Sequence, residues 1–146
     1  RFRPPLLYVS VNIMTARFLP AMQAQPLLEE FATWEKTTTI VIHGGSVFEY
    51  KGVFPQGKTA HGYFNLSSGG LGFEGHLNLE KVKEIRLQDK PHRGKESYAF
   101  DFLDEQGSSI FKVFLGRDDS GELLVYQVER FKALSQHESA YEKEVL

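Results

Sequence analysis

Ser97-Tyr98-Ala99-Phe100-Asp101-Phe102-Leu103, then Asp104-Glu105-Gln106-Gly107, then Ser109-Ile110-Phe111-Lys112-Val113-Phe114-Leu115, is the stretch on which the fold turns. Tyr98, Phe100 and Phe102 alternate with Ser97, Ala99 and Asp101. Side chains on a strand point to opposite faces in turn, so this period of two predicts a strand over Ser97–Leu103 with one apolar and one wet face. Asp104-Glu105-Gln106-Gly107 carries the residues of a hairpin turn, which makes Ser109–Leu115 the antiparallel partner.

Upstream, Ser46–Phe54, Ala60–Leu66, Gly70–His76 and Lys81–Gln88 read as further strands, each bounded by Gly, Pro or Asn/Ser clusters. Their close spacing suits antiparallel hairpins, because a parallel sheet needs longer crossovers. Thr37–His43 is β-branched until its last residue and is turned by Gly44-Gly45. Over Leu27–Glu35 the pattern changes to helical: Leu27, Phe31 and Trp34 fall at i, i+4, i+7, with Glu29 and Glu30 near the positive N-terminal end. A second helix closes the chain, with N-cap candidates Asp118-Asp119-Ser120 and an apolar stripe of Leu124, Val128, Phe131 and Leu134. Residues after Gln136 are polar and predicted to fray. Arg1–Met22 has no sustained period; a short helix around Asn12–Phe18 would end before Pro20. Residues 1–18 thus read as an N-terminal arm or the end of a truncated helical segment. The expected fold is α+β, one domain over residues 1–146, with a large antiparallel β-sheet flanked by helices near both ends of the chain.

Composition narrows the function classes. A chain of 146 residues buries roughly 68–70% of its unfolded surface, enough for a core without a disulfide or metal staple. Twelve Phe, six Tyr and one Trp favour pleated structure. Zero cysteines exclude disulfides, thiolate metal sites and cysteine nucleophiles, and fit a reducing compartment. The net charge is −2 and no basic stripe runs along any segment, so no nucleic-acid footprint is present. The longest apolar runs, such as Pro4–Val9, fall far short of a membrane span, and no signal-peptide pattern is visible.

Five histidines, at 43, 61, 76, 92 and 137, are the main chemistry-bearing residues. His92 sits in the charged run Pro91-His92-Arg93-Gly94 and His137 beyond the apolar helix, so both read as solvated. His43, His61 and His76 each lie in a predicted strand beside glycine, which lets a flat ligand approach the backbone closely. Alternation puts His61, Tyr63 and Asn65 on one face and Phe64 and Leu66 on the other; if the latter face the core, His61 and Tyr63 are presented outward. A strand-end histidine is more often a hydrogen-bonded surface residue than a ligand. These residues alone therefore indicate an α+β domain that binds an aromatic ligand, no more. Gly69-Gly70-Leu71-Gly72 opens no helix and makes a poor phosphate loop. Ser67-Ser68 and Ser108-Ser109 lack a nucleophile-elbow context, and Asp118-Asp119 sit where a helix cap is expected.

Four motifs together resemble the HutX/ChuX family of intracellular haem-utilisation carrier proteins. They are Thr38-Thr39-Ile40-Val41-Ile42-His43; Pro55-Gln56-Gly57 leading into His61-Gly62-Tyr63-Phe64-Asn65-Leu66; Gly72-Phe73-Glu74-Gly75-His76; and Phe111-Lys112-Val113-Phe114-Leu115-Gly116-Arg117-Asp118-Asp119. The resemblance runs from about Leu19 to Leu134; Arg1–Phe18 matches poorly. It implies a cytoplasmic carrier, not an enzyme, that binds haem b and passes it to a haem-degrading acceptor. It further implies a homodimer whose paired sheets mimic the two halves of HemS/ChuS-type proteins. Carried over from the family, His43 and His76 are the axial candidates for the haem iron, Tyr63 is a further cofactor-binding candidate and His61 ranks behind it. Arg117 and Lys112 are possible propionate partners, with ordinary surface charge the plainer reading. Two other functions stay open on the residues: a haem-degrading enzyme of related architecture, and a non-haem dimeric interaction module.

Overall fold

The structure, a computed structural model, describes residues 2–5 and 13–145. Ten strands and two α-helices run in the order β1 (Met14–Pro20), α1 (Ala24–Phe31), β2 (Thr37–His43), β3 (Ser46–Gly52), β4 (Gln56–Ala60), β5 (Tyr63–Ser67), β6 (Gly75–Leu77), β7 (Glu84–Asp89), β8 (Tyr98–Leu103), β9 (Ser109–Leu115), α2 (Val125–Ser135) and β10 (Tyr141–Val145). Seven strands form one antiparallel sheet in the order β10-β1-β7-β8-β9-β2-β3, and β4-β5-β6 form a second, smaller one. The fold is α+β, with the large antiparallel sheet and flanking helices expected from the sequence.

The inner face of the large sheet carries the core. Phe100 of β8 lies 5.1 Å from Phe31 of α1 and 5.1 Å from Phe131 of α2, ring centre to ring centre. Both helices therefore press on the same strand, one from each end of the chain. The small sheet contributes Phe64 and Leu66 to this core, both buried. Large aromatic side chains standing off a pleated surface fill such a layer efficiently, which is where the high phenylalanine content goes.

Several sequence expectations are corrected. The helix suggested over Asn12–Phe18 is, from Met14 on, strand β1, pairing with β7 and β10; Asn12 lies outside the described residues. Phe18 and Leu19 are adjacent and both buried, which suits a strand covered on two faces. β8 likewise has no wet face: all six residues are buried, and Asp101, on the face expected to be wet, accepts from Ser109 Oγ at 2.5 Å and lies 3.9 Å from the Lys112 ammonium. Burial pushes the Asp101 carboxyl up. Asp118 caps no helix. Its Oδ1 closes a turn by accepting from Ser120 N at 2.8 Å and Glu122 N at 3.0 Å, and α2 begins only after Leu124, which is extended. The tail after Gln136, expected to fray, ends in β10. There Tyr141 and Lys143 both hydrogen-bond Glu84 of β7 across the intervening β1. Among the described residues no helix is long and apolar enough to cross a membrane.

Candidate functional site

The small sheet carries most of the singled-out residues. Phe64 and Leu66 of β5 point into the core, and Tyr63 and Asn65 point the other way, as alternation predicts. Asn65 stands opposite His76 of β6 in the antiparallel register. The Tyr63 and His76 rings meet edge to face, centroids 6.2 Å apart. Both side chains are exposed.

His76 Nδ1 lies 2.6 Å from Asn65 Oδ1. The amide nitrogen of Asn65 donates to three backbone carbonyls: Ala60 at 3.0 Å, Lys58 at 3.1 Å and Tyr63 at 3.3 Å. One side chain thus ties β4, the turn after it, β5 and β6 together. His76 also lines a groove of about 440 Å³, with one wall apolar, from Leu77, Leu79, Val82, Ile110 and Phe111, and the rest polar, including Glu80, Lys81, Asp104 and Glu105. Leu77, Ile110 and Phe111 are shared with an apolar cavity of about 180 Å³ between the two sheets, so apolar surface runs from His76 toward the core.

His61 is not on the Tyr63 face. The single strand expected over Ala60–Leu66 is two strands, with His61-Gly62 as the hairpin turn between Ala60 and Tyr63. Both turn residues have positive φ, +55° and +80°, the twist that a two-residue hairpin requires. Gly62 adopts it freely; His61 does so at some strain. Likewise the strand expected over Gly70–His76 is mostly loop. Glu74 folds it back: its Oε2 accepts from Ser68 N at 2.9 Å and Gly70 N at 3.1 Å, and β6 starts only at Gly75. These backbone donors hold the Glu74 carboxyl below its ordinary range.

His43 sits on the other sheet, at the end of β2, where Gly44-Gly45 turn the chain into β3. Around it, Ile42, Val47 and Phe48 are each about 60% exposed. Among the described residues His43 makes no side-chain hydrogen bond, and the structure brings together Tyr63 and His76 but not His43 with either. Arg117 is engaged with the carbonyls of Gly121 and Glu96, and Lys112 with Gln88 and Asp101. No group of three or more His, Cys, Asp or Glu side chains that could hold a bare metal ion exists among the described residues. Haem is less demanding, since the porphyrin supplies four ligands and the protein only the axial positions. An exposed histidine on a groove with one apolar wall, with an exposed tyrosine ring beside it, fits that requirement.

Sequence reasoning missed the part played by Asn65. The signal was present: Asn65 and His76 are eleven residues apart across a glycine-rich loop, a spacing that pairs them once the loop closes.

Comparison with known proteins bears on the family and the fold. Residues 17–134 match the family described as haem utilisation ChuX/HutX. The intracellular heme transport protein HutX of Vibrio cholerae serotype O1 is 46% identical over 113 residues, 77% of this chain, and the match spans 58% of that relative's length. The solved heme binding protein ChuX superposes with a TM-score of 0.74 at 31% identity, over 84% of this chain and 76% of that one. ChuS, an E. coli heme oxygenase, shares the fold alone, with a TM-score of 0.68 and 17% identity over 82% of this chain and 36% of ChuS. With the match running through both sheets and both helices, the chain belongs to the ChuX/HutX haem-utilisation family.

Proposed function

We propose that this protein is an intracellular haem carrier that takes up haem b as cargo and passes it to a haem-degrading partner. The observation that carries the reading is the exposed His76–Tyr63 pair beside a groove with one apolar wall, in a chain of this family. The relatives named for heme transport and heme binding support the same role. His76 is the first axial candidate on iron and Tyr63 the second donor within reach; His43 serves as an axial ligand only from its separate position on the large sheet. His61, held in a turn, ranks last. The porphyrin faces rest on apolar side chains, and burial at about 25 cal/mol per Å² supplies several kcal/mol. A carrier must also release its cargo, which suits an open face better than a sealed pocket.

The working unit is a single domain that pairs as a cytoplasmic homodimer. Ile42 of β2 and Val47 and Phe48 of the edge strand β3, at the β2–β3 tip, support that pairing, since exposed apolar surface at a sheet edge is otherwise an aggregation hazard. A second copy there brings a second His43 to the interface.

The test is a haemin titration followed at the Soret band, on wild type and on His76→Ala, Tyr63→Phe, His43→Ala and His61→Ala, with the mass measured by light scattering. Saturable binding weakened most by His76→Ala supports the reading, and an unchanged His61→Ala supports the ranking. No saturable Soret change defeats it. Conversion of bound haem to a linear tetrapyrrole on adding a reductant, in the presence of catalase, replaces the carrier by an enzyme. A monomeric mass with and without haem removes the dimer.

A further inference from the structure

Asn65 has more to do than its place on a hairpin requires. Its amide group has one orientation that works. Turned the other way, Oδ1 would face the carbonyl oxygens of Lys58, Ala60 and Tyr63, all within 3.3 Å and all acceptors. The nitrogen must therefore point at those carbonyls, and the oxygen must point at His76. An amide oxygen only accepts, so at 2.6 Å His76 Nδ1 must carry the hydrogen and donate it. In a neutral imidazole the lone pair then belongs to Nε2, on the far side of the ring.

We infer that Asn65 is the positioning residue of the site: its carbonyl-locked amide holds the neutral His76 ring with the proton on Nδ1 and presents a bare Nε2 to an incoming iron. This rests on the haem-carrier reading above. Histidines that ligate metals commonly donate their other nitrogen to an acceptor that fixes tautomer and ring orientation and raises basicity. Here the acceptor is a neutral amide rather than a carboxylate. It orients the imidazole while adding less electron density to it, which keeps the bond to iron exchangeable. Because Asn65 also donates to the Tyr63 carbonyl, it fixes the backbone of one donor and the ring of the other.

The first measurement needs no variant and no haem. Long-range nitrogen–proton NMR of the haem-free protein in mildly alkaline solution reports which ring nitrogen bears the proton. A proton on Nδ1 is expected; a proton on Nε2 overturns the inference whatever haem does. The second compares Asn65→Leu with Asn65→Asp in haemin titrations. Leucine removes both the acceptor and the three donated bonds. Aspartate keeps an oxygen for Nδ1–H but sets its second oxygen against the three carbonyls that the amide nitrogen faced, so it loosens the hairpin at least as much as leucine does. Asn65→Leu is expected to lose about 10–100-fold in haem affinity, with Asn65→Asp losing clearly less although its fold is no more stable. Equal losses in both reduce Asn65 to a hairpin anchor and overturn the inference, as does wild-type affinity in Asn65→Leu. Absence of haem binding by the wild type defeats the carrier reading instead, and the tautomer measurement still stands on its own. Should Asn65→Leu fail to fold, the tautomer measurement decides the matter.

Discussion

Phe31 on the inner side of the large sheet and His76 on the outer side of the small one stand in opposite surroundings. Phe31 is fully buried among Trp34, Phe54, Phe100 and Phe102. His76 is exposed, and its side chain is held by one hydrogen bond to Asn65 and an edge-on contact with Tyr63. The first arrangement is non-directional: many ring contacts, each weak, sum to a large free energy. The second is directional and nearly free of burial. Stability and chemistry are thus separated between the buried layer and the outer face of the small sheet, and a substitution in one should read differently from a substitution in the other.

The largest effect is expected from breaking the buried side. Phe31→Ala removes a ring touched by four others and should cost about 3–5 kcal/mol of unfolding free energy, measured by urea denaturation. In the fraction that stays folded, the His76 ring resonances should keep their wild-type positions, because no Phe31 contact reaches the small sheet's outer face. Shifted His76 resonances at full folding would contradict the separation.

Gly57→Ala tests where the two regions meet. A Cβ on Gly57 would lie 2.1 Å from Cε2 and 2.2 Å from Cζ of Phe64, a ring that is only 2% exposed and has little room to withdraw. The expected cost is smaller than that of Phe31→Ala, about 1–3 kcal/mol. Unlike Phe31→Ala, it should disturb the site, since Phe64 sits between Tyr63 and Asn65 on β5. Weakened haem binding together with lowered stability is the expected pair of results. Lowered stability with untouched haem affinity would show that the outer face tolerates movement beneath it.

The same division explains what the sequence revealed. The large sheet was legible because its signals are local: alternation over Tyr98–Phe102, a turn at Asp104–Gly107, β-branched residues in Thr37–Ile42. The outward placement of Tyr63 and Asn65 followed from Phe64 and Leu66 by the same alternation. What stayed hidden depends on distant or directional partners. Ala60-His61-Gly62-Tyr63 reads as a continuous strand until one knows that His61 takes a positive φ. Gly69–Phe73 reads as strand until Glu74 is seen to collect the backbone donors of Ser68 and Gly70. β10 has charged residues at its three central positions and no apolar period of its own, and its fastening residue lies 57 positions away in the chain.

That fastening gives the smallest effect and the sharpest limit on the comparison, because it is polar yet belongs to the large sheet. Glu84 is buried, and burial alone would push its carboxyl up. The hydrogen bonds from Lys143 and Tyr141 outweigh burial and hold it below its ordinary value of 4.5. A carboxyl depressed in the folded state stabilises at pH above its unfolded value and loses that contribution as pH falls through the folded one. Lys143 is nearly half exposed, so solvent screening keeps the contribution near about 1 kcal/mol at neutral pH. Glu84→Gln should therefore be less stable than wild type at pH 7, and the gap should close progressively below pH 4.5. Hydrogen exchange should show the loss concentrated in β10 and β1. A gap that stays constant down to pH 2 would mean that β10 is held by the stacking of Tyr141 on Phe18, 5.8 Å apart, rather than by charge. The large sheet would then be held by burial to its very edge, and directional fastening would be confined to the small sheet that carries the site.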